Sequence, residues 1–158
     1  MIRAIAGFSL FLICILATAE QTDAKRPDAS PPSPKPTPET VVFTGYRGIS
    51  IGMPTTAVRE KLDDPKEKSD AQDLYIFSDD ESAQFFYDDT KKVNAIMITF
   101  TGDLKKALTP SAIFGEDAEA SPDGSTFKMV RYPKAGFWIS YNRSAGDDAV
   151  ISIAVQKI

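Results

Sequence analysis

Three clusters of acidic residues are the groups in this sequence best suited to do chemistry: Asp79-Asp80-Glu81, Asp88-Asp89 and Asp147-Asp148. Carboxylate oxygens bind calcium, and a pair of carboxylates can hydrolyse a glycosidic bond without histidine. Calcium is usually held by a loop with regularly spaced ligands, and none of these clusters has that spacing. All three clusters fall where turns are expected, so the sequence predicts solvated turns, no metal site and no catalytic residues.

Other catalytic arrangements are excluded by composition or by spacing. The chain contains no histidine, and its one cysteine, Cys14, lies in an apolar N-terminal segment. The rest of the chain therefore cannot form a disulfide, a Cys/His zinc site or a His-based triad. A Ser125–Lys128 dyad is disfavoured because residues three apart in a strand point to opposite faces. The sequence predicts a protein that is not an enzyme and needs no cofactor, with a carboxylate-based hydrolase as the less favoured alternative.

The first 19 residues have the pattern of a signal peptide. Arg3 precedes an apolar, uncharged run over residues 4–15, and a small-x-small cleavage site ends at Ala19. The run is shorter than the roughly 20 residues that span a bilayer. Ile13 stands before Cys14, where a lipoprotein signal needs a small residue. We expect export to the periplasm or the extracellular space, with an uncleaved membrane anchor as the alternative.

Residues 20–40 predict a disordered, proline-rich linker. The prolines stand among Ser, Thr, Lys and Asp, so no core residues are available and an extended, polyproline-like spacer is expected. Residues 31–34 match a PxxP ligand, and a plain tether is the alternative interpretation. The net charge of −4 disfavours a nucleic-acid partner because phosphate binding needs a basic face.

The rest of the chain, residues 41–158, predicts a single α+β domain built from two tandem repeats, at about 46–101 and 102–158. Each repeat has a short helix followed by three strands with alternating apolar residues. The predicted strands cover residues 74–77, 83–87, 93–101, 127–132, 136–141 and 149–157. We expect two antiparallel meanders that form one sheet, with the helices on one face.

An internal duplication is indicated by matching positions in the two repeats. The pairs are Val58 with Ile113, Phe77 with Tyr132, Tyr87 with Tyr141, and Ile96 with Ile151. Each pair is 54 or 55 residues apart, whereas the spacing would vary from pair to pair if the match were accidental.

The opening of the first repeat carries a family resemblance. Ile51-Gly52-Met53, followed by Val58, Leu62 and Pro65, resembles the start of the SmpA/OmlA family of small outer-membrane assembly lipoproteins. The same layout occurs in the β-lactamase inhibitor protein. The resemblance implies helices on one face of an antiparallel sheet and members that bind proteins. In this chain Pro54 stands at the family's Ser/Thr helix cap, so Thr55 or Thr56 is expected to serve instead, and Asp63 replaces a glycine.

Alternation along the strands sorts their residues into two faces. The predicted core face is almost wholly apolar and contains Tyr75, Phe77, Phe85, Tyr87, Ile96, Ile98, Phe100, Val130, Tyr132, Phe137, Ile139, Tyr141, Ile151, Ile153 and Val155. The opposite face, which we call the open face, mixes aromatic, Met, Arg and small polar residues, as protein interfaces do. The candidate binding residues on it are Phe86, Met97, Met129, Arg131, Trp138 and Ser140.

The hypothesis that follows is an exported cell-envelope binding or scaffolding module that contacts a protein through the open face. A soluble inhibitor of a secreted enzyme is an alternative that only the duplicated layout suggests. The open face could instead be half-solvated, as antiparallel sheets allow, or covered by the apolar segment Val41–Phe43.

Overall fold

The computed structural model describes residues 40–158, whose regular structure consists of nine β-strands, two α-helices and a 3₁₀ turn. The predicted signal peptide and nearly all of the predicted linker lie outside these residues. The elements in chain order are β1 (Gly45–Tyr46), β2 (Ile49–Ser50), α1 (Thr55–Leu62), β3 (Glu67–Lys68), β4 (Gln72–Ser78), β5 (Glu81–Tyr87), β6 (Val93–Phe100), the 3₁₀ turn (Leu104–Lys106), α2 (Pro110–Phe114), β7 (Thr126–Tyr132), β8 (Phe137–Arg143) and β9 (Ile151–Lys157). Neither helix of this part of the chain is long and apolar enough to cross a membrane.

Seven of these strands form one antiparallel sheet in the order β3-β4-β5-β6-β9-β8-β7, and β1 and β2 form a separate hairpin. The six long strands are those predicted from alternation, with ends that differ by at most two residues. Strands β6 and β9 lie side by side at the centre. The meander β6-β5-β4 extends to one side, where β3 is added at the edge, and the meander β9-β8-β7 extends to the other. The chain is therefore α+β, mostly antiparallel sheet with two short helices.

The core lies between one face of the sheet and the two helices. Val58 of α1, Ile113 of α2 and Ile49 of the hairpin are fully buried and belong to one cluster with the sheet residues. The residues predicted for the core face are all buried except Phe77 and Val130, which are partly buried and pack against that cluster. Alternation therefore assigned the core face correctly, because successive side chains of a strand point to opposite faces.

Helix α1 begins without the threonine cap that we expected. Pro54 is the N-cap residue and makes no side-chain cap bond. Thr55 instead donates its backbone N–H and its hydroxyl to the Lys91 carbonyl oxygen, at 2.9 and 3.0 Å. The helix start is thus held by the β5–β6 turn. The helix ends at Leu62, and the C-cap residue Asp63 has a φ of +62°, which glycine adopts more easily.

The register of the sheet does not reproduce a constant repeat offset. One cross-strand row runs through the six long strands, in the order Leu74, Gln84, Met97, Ala154, Ser140 and Met129. Corresponding members of the two halves are 55, 56 and 57 positions apart (129 − 74, 140 − 84 and 154 − 97). Each hairpin of the second half is therefore one residue longer. The pairs of Tyr87 with Tyr141 and of Ile96 with Ile151 do not follow this register.

Gly45 is required where the two strands of the β1–β2 hairpin come close together. A Cβ added at Gly45 would overlap with the Ile49 carbonyl oxygen, which is backbone and cannot rotate away. We expect Gly45→Ala to lower the free energy of unfolding by about 1–3 kcal/mol, as overpacked sites do, when measured by urea denaturation. Thr44→Ala, at an exposed neighbouring position, is the control and should have little effect. Equal stability of the two variants would contradict this close approach.

Candidate functional site

The structure brings the six candidate binding residues together on the open face. Phe86, Trp138 and Arg131 belong to one cross-strand row, which also contains Ala95 and Gln156. The other three candidates are part of the adjacent row, which is the one that runs from Leu74 to Met129. Residues directly opposite each other in a sheet are neighbours, so the two rows form one continuous surface across β5, β6, β9, β8 and β7.

Two shallow depressions cover the middle of this surface. The first has a volume of about 390 Å³ and lies between Phe86 and Trp138, over Ala95 and Ala154. The second, of about 430 Å³, shares Met97 and Ala154 with the first and extends toward Phe127, Ser140 and Asn142. In the first depression the central strands contribute Ala95 and Ala154 but also Met97 and Gln156, and Phe86 and Trp138 line the two sides.

The apolar segment Val41–Phe43 does not cover the open face, so that alternative is wrong. Val41 and Phe43 pack against the core cluster, on the side of the sheet where the helices lie. The Val42 side chain lies close to Gly115, which ends α2.

The open face contains an exposed aromatic residue that the sequence analysis missed. Phe127 of β7 is 65% exposed, Met129 is 51% exposed, and Arg131 is also exposed. All three point to the open face because they are two residues apart in one strand. The parity of Met129 and Arg131, two and four residues later in the same strand, is the signal that places Phe127 on this face.

Asp73 forms a buried charged cluster that sequence reasoning also missed. It is completely buried on β4, where it accepts hydrogen bonds from Arg59 Nε and Nη2 of α1, both at 2.8 Å. The Tyr87 hydroxyl of β5 donates to the same carboxylate at 2.7 Å. Burial alone would raise the pKa of Asp73, but the bonds from Arg59 and Tyr87 outweigh it and lower that pKa. A carboxylate held in this way is charged, fully bonded and structural.

In the acidic cluster Asp79-Asp80-Glu81, the last residue does not lie in a solvated turn as predicted. Glu81 belongs to β5, is partly buried, and accepts hydrogen bonds from the Tyr46 hydroxyl and from Arg47, whose Nε lies at 2.9 Å. The Arg47 guanidinium also lies 3.9 Å from the centre of the Phe77 ring. Burial, followed by the bond to Glu81, raises the pKa of Tyr46 to about 12, so the phenol stays protonated and donates. These contacts attach the β1–β2 hairpin to the sheet.

Asp88, Ser125 and Lys128, which were also considered for chemistry, make turn bonds and an ion pair. Asp88 accepts bonds from the backbone N–H and the hydroxyl of Thr90, and the hydroxyl bond lowers the pKa of Asp88. The Ser125 hydroxyl donates to Asp123 at 2.7 Å, whereas the Lys128 ammonium donates to Glu116 at 2.7 Å. Ser125 and Lys128 therefore bind different acidic residues, and the dyad that the sequence disfavours does not form. Within residues 40–158, no group of three or more acidic, Cys or His residues is placed to hold a metal ion.

No protein-family model, curated protein or solved structure matches this chain.

Proposed function

We propose that this chain is an exported cell-envelope binding or scaffolding module that contacts a partner protein through the open face of its sheet. The role is non-enzymatic, and the predicted linker tethers the module to the membrane or the cell wall. The observation that carries the proposal is the depression between Phe86 and Trp138, which Ala95, Met97, Ala154 and Gln156 also line.

The composition of this depression supports protein binding. Aromatic residues, Met and Arg are enriched in protein interfaces, and Trp and Arg are frequent hot spots. The open face has Trp138 in the same cross-strand pair as Arg131, with Met97 in the neighbouring row. Acidic residues do not line either depression of the open face.

The dimensions of the depression suit a polypeptide segment. Phe86 and Trp138 are separated by three strand spacings, through β6 and β9, which amounts to about 14 Å between their backbones. A helix with its side chains is about 10–12 Å wide, so an apolar helix face or an extended segment fits between the two rings. The rings would then contact both sides of the segment, and the Gln156 side chain, which lies between Ala95 and Trp138 in the same row, could hydrogen-bond to its backbone.

The test is Trp138→Ala in the full-length protein. We expect this change to weaken partner binding by about thirtyfold or more, because truncating such an anchor typically costs about 2 kcal/mol or more. The melting temperature should move little, since Trp138 is outside the core cluster. Crosslinking in envelope extracts identifies the partner, and titration of the purified partner then measures the affinity.

The control is Val42→Ala, which removes an exposed apolar side chain on the helix side of the sheet. It should leave partner binding unchanged. If Val42→Ala and Trp138→Ala weaken binding equally, the open face is not the site. If Trp138→Ala unfolds the domain, Trp138 is part of the core and the proposed site is wrong.

We also infer that the two halves of the sheet arose by tandem duplication. Support comes from the position of Val58 and Ile113, which both stand four residues after the helix N-cap, at Pro54 and Thr109. The two meanders also have the same order outward from the centre, β6-β5-β4 on one side and β9-β8-β7 on the other. One added residue per hairpin in the second half accounts for the rising offset. Both meanders then contribute equivalent strands to the binding face.

A further inference from the structure

The open face has almost no charged residues. It consists of three cross-strand rows, each with one residue from each of the six long strands, which run from Gln72 to Arg131, from Leu74 to Met129 and from Ile76 to Phe127. Arg131 is the one charged residue in these three rows, all of which the structure describes. Soluble domains generally have roughly 25–35% charged residues at their surface. The open face is therefore unlike an ordinary solvated surface, and its single charge is a cation.

Arg131 has no acceptor for its hydrogen bonds, unlike two other basic residues of the meander β9-β8-β7. Lys128 donates to Glu116 at 2.7 Å, and Arg143 donates to the Gly124 carbonyl oxygen at 3.1 Å. Within residues 40–158, the exposed Arg131 side chain bonds to no carboxylate or carbonyl oxygen. Its guanidinium, which has five N–H donors in a planar fork, is therefore available to a ligand.

Arg131 lies beside the depression that the proposed partner segment occupies. It is directly opposite Trp138 in the pairing of β7 with β8, so one strand spacing of about 5 Å separates their backbones. Trp138 lines the depression on that side. A segment seated between Phe86 and Trp138 therefore has one flank next to β7, where it displaces water from the Arg131 guanidinium.

We propose that Arg131 selects the partner by charge: the segment that binds the open face has an aspartate or glutamate next to the apolar residues that contact Trp138. The proposal rests on the partner-binding function proposed above. The Arg131 guanidinium binds the carboxylate through two parallel N–H···O bonds, a geometry that is both stronger and more specific than a single neutral hydrogen bond. The partner is thus a protein with an apolar segment flanked by an acidic side chain.

Desolvation is the reason that the segment needs an acidic residue. A charged group that loses water without gaining a partner costs free energy, and a carboxylate bonded to it offsets that cost. The open face supplies no carboxylate itself, because its three rows contain no acidic residue and neither depression is lined by one. The anion must therefore come from the partner. A segment with a basic residue at that place is repelled, and one with an apolar residue leaves Arg131 unpaired.

The first test selects peptides from a random library displayed on phage, with the full-length protein as bait. The peptides are fused to the coat protein through their C-termini, so Asp and Glu side chains are the carboxylates that they offer. Selection on the parent should enrich Asp or Glu close to apolar residues, and selection on Arg131→Glu should enrich Lys or Arg there instead. The net charge of the chain is −4, which by itself favours basic peptides, so acidic enrichment reports a local contact.

Lys105→Glu is the control for this selection. It makes the same change of net charge at an exposed residue of the 3₁₀ turn, outside the three rows of the open face. It should enrich the same acidic peptides as the parent. The proposal is overturned if the parent enriches no acidic residue, or if Lys105→Glu loses the acidic enrichment as fully as Arg131→Glu does.

The second test exchanges the two charges, with one selected acidic peptide as the probe and fluorescence anisotropy as the measurement. Arg131→Glu should weaken binding of this peptide about tenfold or more, because like charges then face each other. Replacing the acidic residue of the peptide by lysine should restore binding to Arg131→Glu and weaken binding to the parent. The melting temperature of Arg131→Glu should stay near that of the parent, since the side chain is exposed. If the lysine peptide binds both proteins equally, residue 131 does not contact the acidic residue.

Trp138→Ala distinguishes failure of this inference from failure of the proposed function. Peptides that bind the parent and bind Trp138→Ala about thirtyfold more weakly use the open face. If those peptides show no preference for an acidic residue, selection by Arg131 is wrong and binding through the open face stands. If the acidic peptides bind Trp138→Ala as tightly as the parent, the open face is not their site, and both proposals fail.

Discussion

Asp73→Ala is expected to lower the free energy of unfolding by about 3–5 kcal/mol, the range typical of a broken buried ion pair. The change leaves the Arg59 guanidinium and the Tyr87 hydroxyl without the carboxylate that accepts their hydrogen bonds. It also removes the bond that joins α1 to β4, so helix and sheet lose a shared anchor. Urea denaturation at neutral pH measures the loss.

Asp70→Ala is the matched control for Asp73→Ala. Asp70 also pairs with a cation, Lys91 at 3.2 Å, but its side chain is almost fully exposed. Exposed ion pairs contribute little, so Asp70→Ala should leave the urea midpoint nearly unchanged. If Asp73→Ala is as mild as this control, water satisfies the partners of Asp73 and the cluster does not anchor α1.

The contribution of Asp73 should also depend on pH. Its pKa in the folded protein is lower than the usual 3.8, so folding favours the charged carboxylate. That contribution is fully present above the unfolded-state pKa and is lost as the pH falls through the folded-state pKa. The difference in stability between the parent and Asp73→Ala should therefore stay constant near neutral pH and shrink at pH values below about 4.

Ile98→Ala and Ile153→Ala are each expected to cost about 2–5 kcal/mol of unfolding free energy, because each leaves a cavity in the core. Both side chains are completely buried, and they lie directly opposite each other on β6 and β9. Thr99→Ala changes the next residue of β6, on the open face, and should cost less than about 1 kcal/mol. A larger loss for Thr99→Ala than for Ile98→Ala would mean that the faces are inverted.

The two isoleucines should not act independently. The Ile98 and Ile153 side chains share one site, so the double variant leaves a single joined cavity that can collapse differently from two separate ones. We expect the loss for the double variant to differ from the sum of the single losses by about 0.5 kcal/mol or more. Additive losses would indicate that the two side chains are not in contact.

Alternation made the strands and the core face predictable. Ile96, Ile98 and Phe100 are two residues apart, as are Ile151, Ile153 and Val155, and the pleat of a strand places such residues on one side. The same parity grouped the six candidate residues on the opposite face, which the structure places in two adjacent rows. Their role in binding stays a prediction.

Features that depend on distant parts of the chain were not predictable. The buried position of Asp73 follows the alternation of β4, but Arg59 and Tyr87, which make that burial tolerable, are 14 residues away in either direction. Thr55 bonds to Lys91, 36 residues later, rather than capping its own helix. A local pattern does not report such pairs, because each bond forms only after helix and sheet have packed.

The sequence by itself determined which residues turn toward the core, since hydrophobic burial and the two-residue period of a strand act locally. It also determined the absence of histidine and, beyond Cys14, of cysteine chemistry. Tertiary structure alone decided the pairing of β6 with β9 and the shift of the repeat offset. It also decided that Val41–Phe43 packs on the helix side and that β7 is left as an edge. These depend on register and strand order, which arise from contacts between residues far apart in the chain.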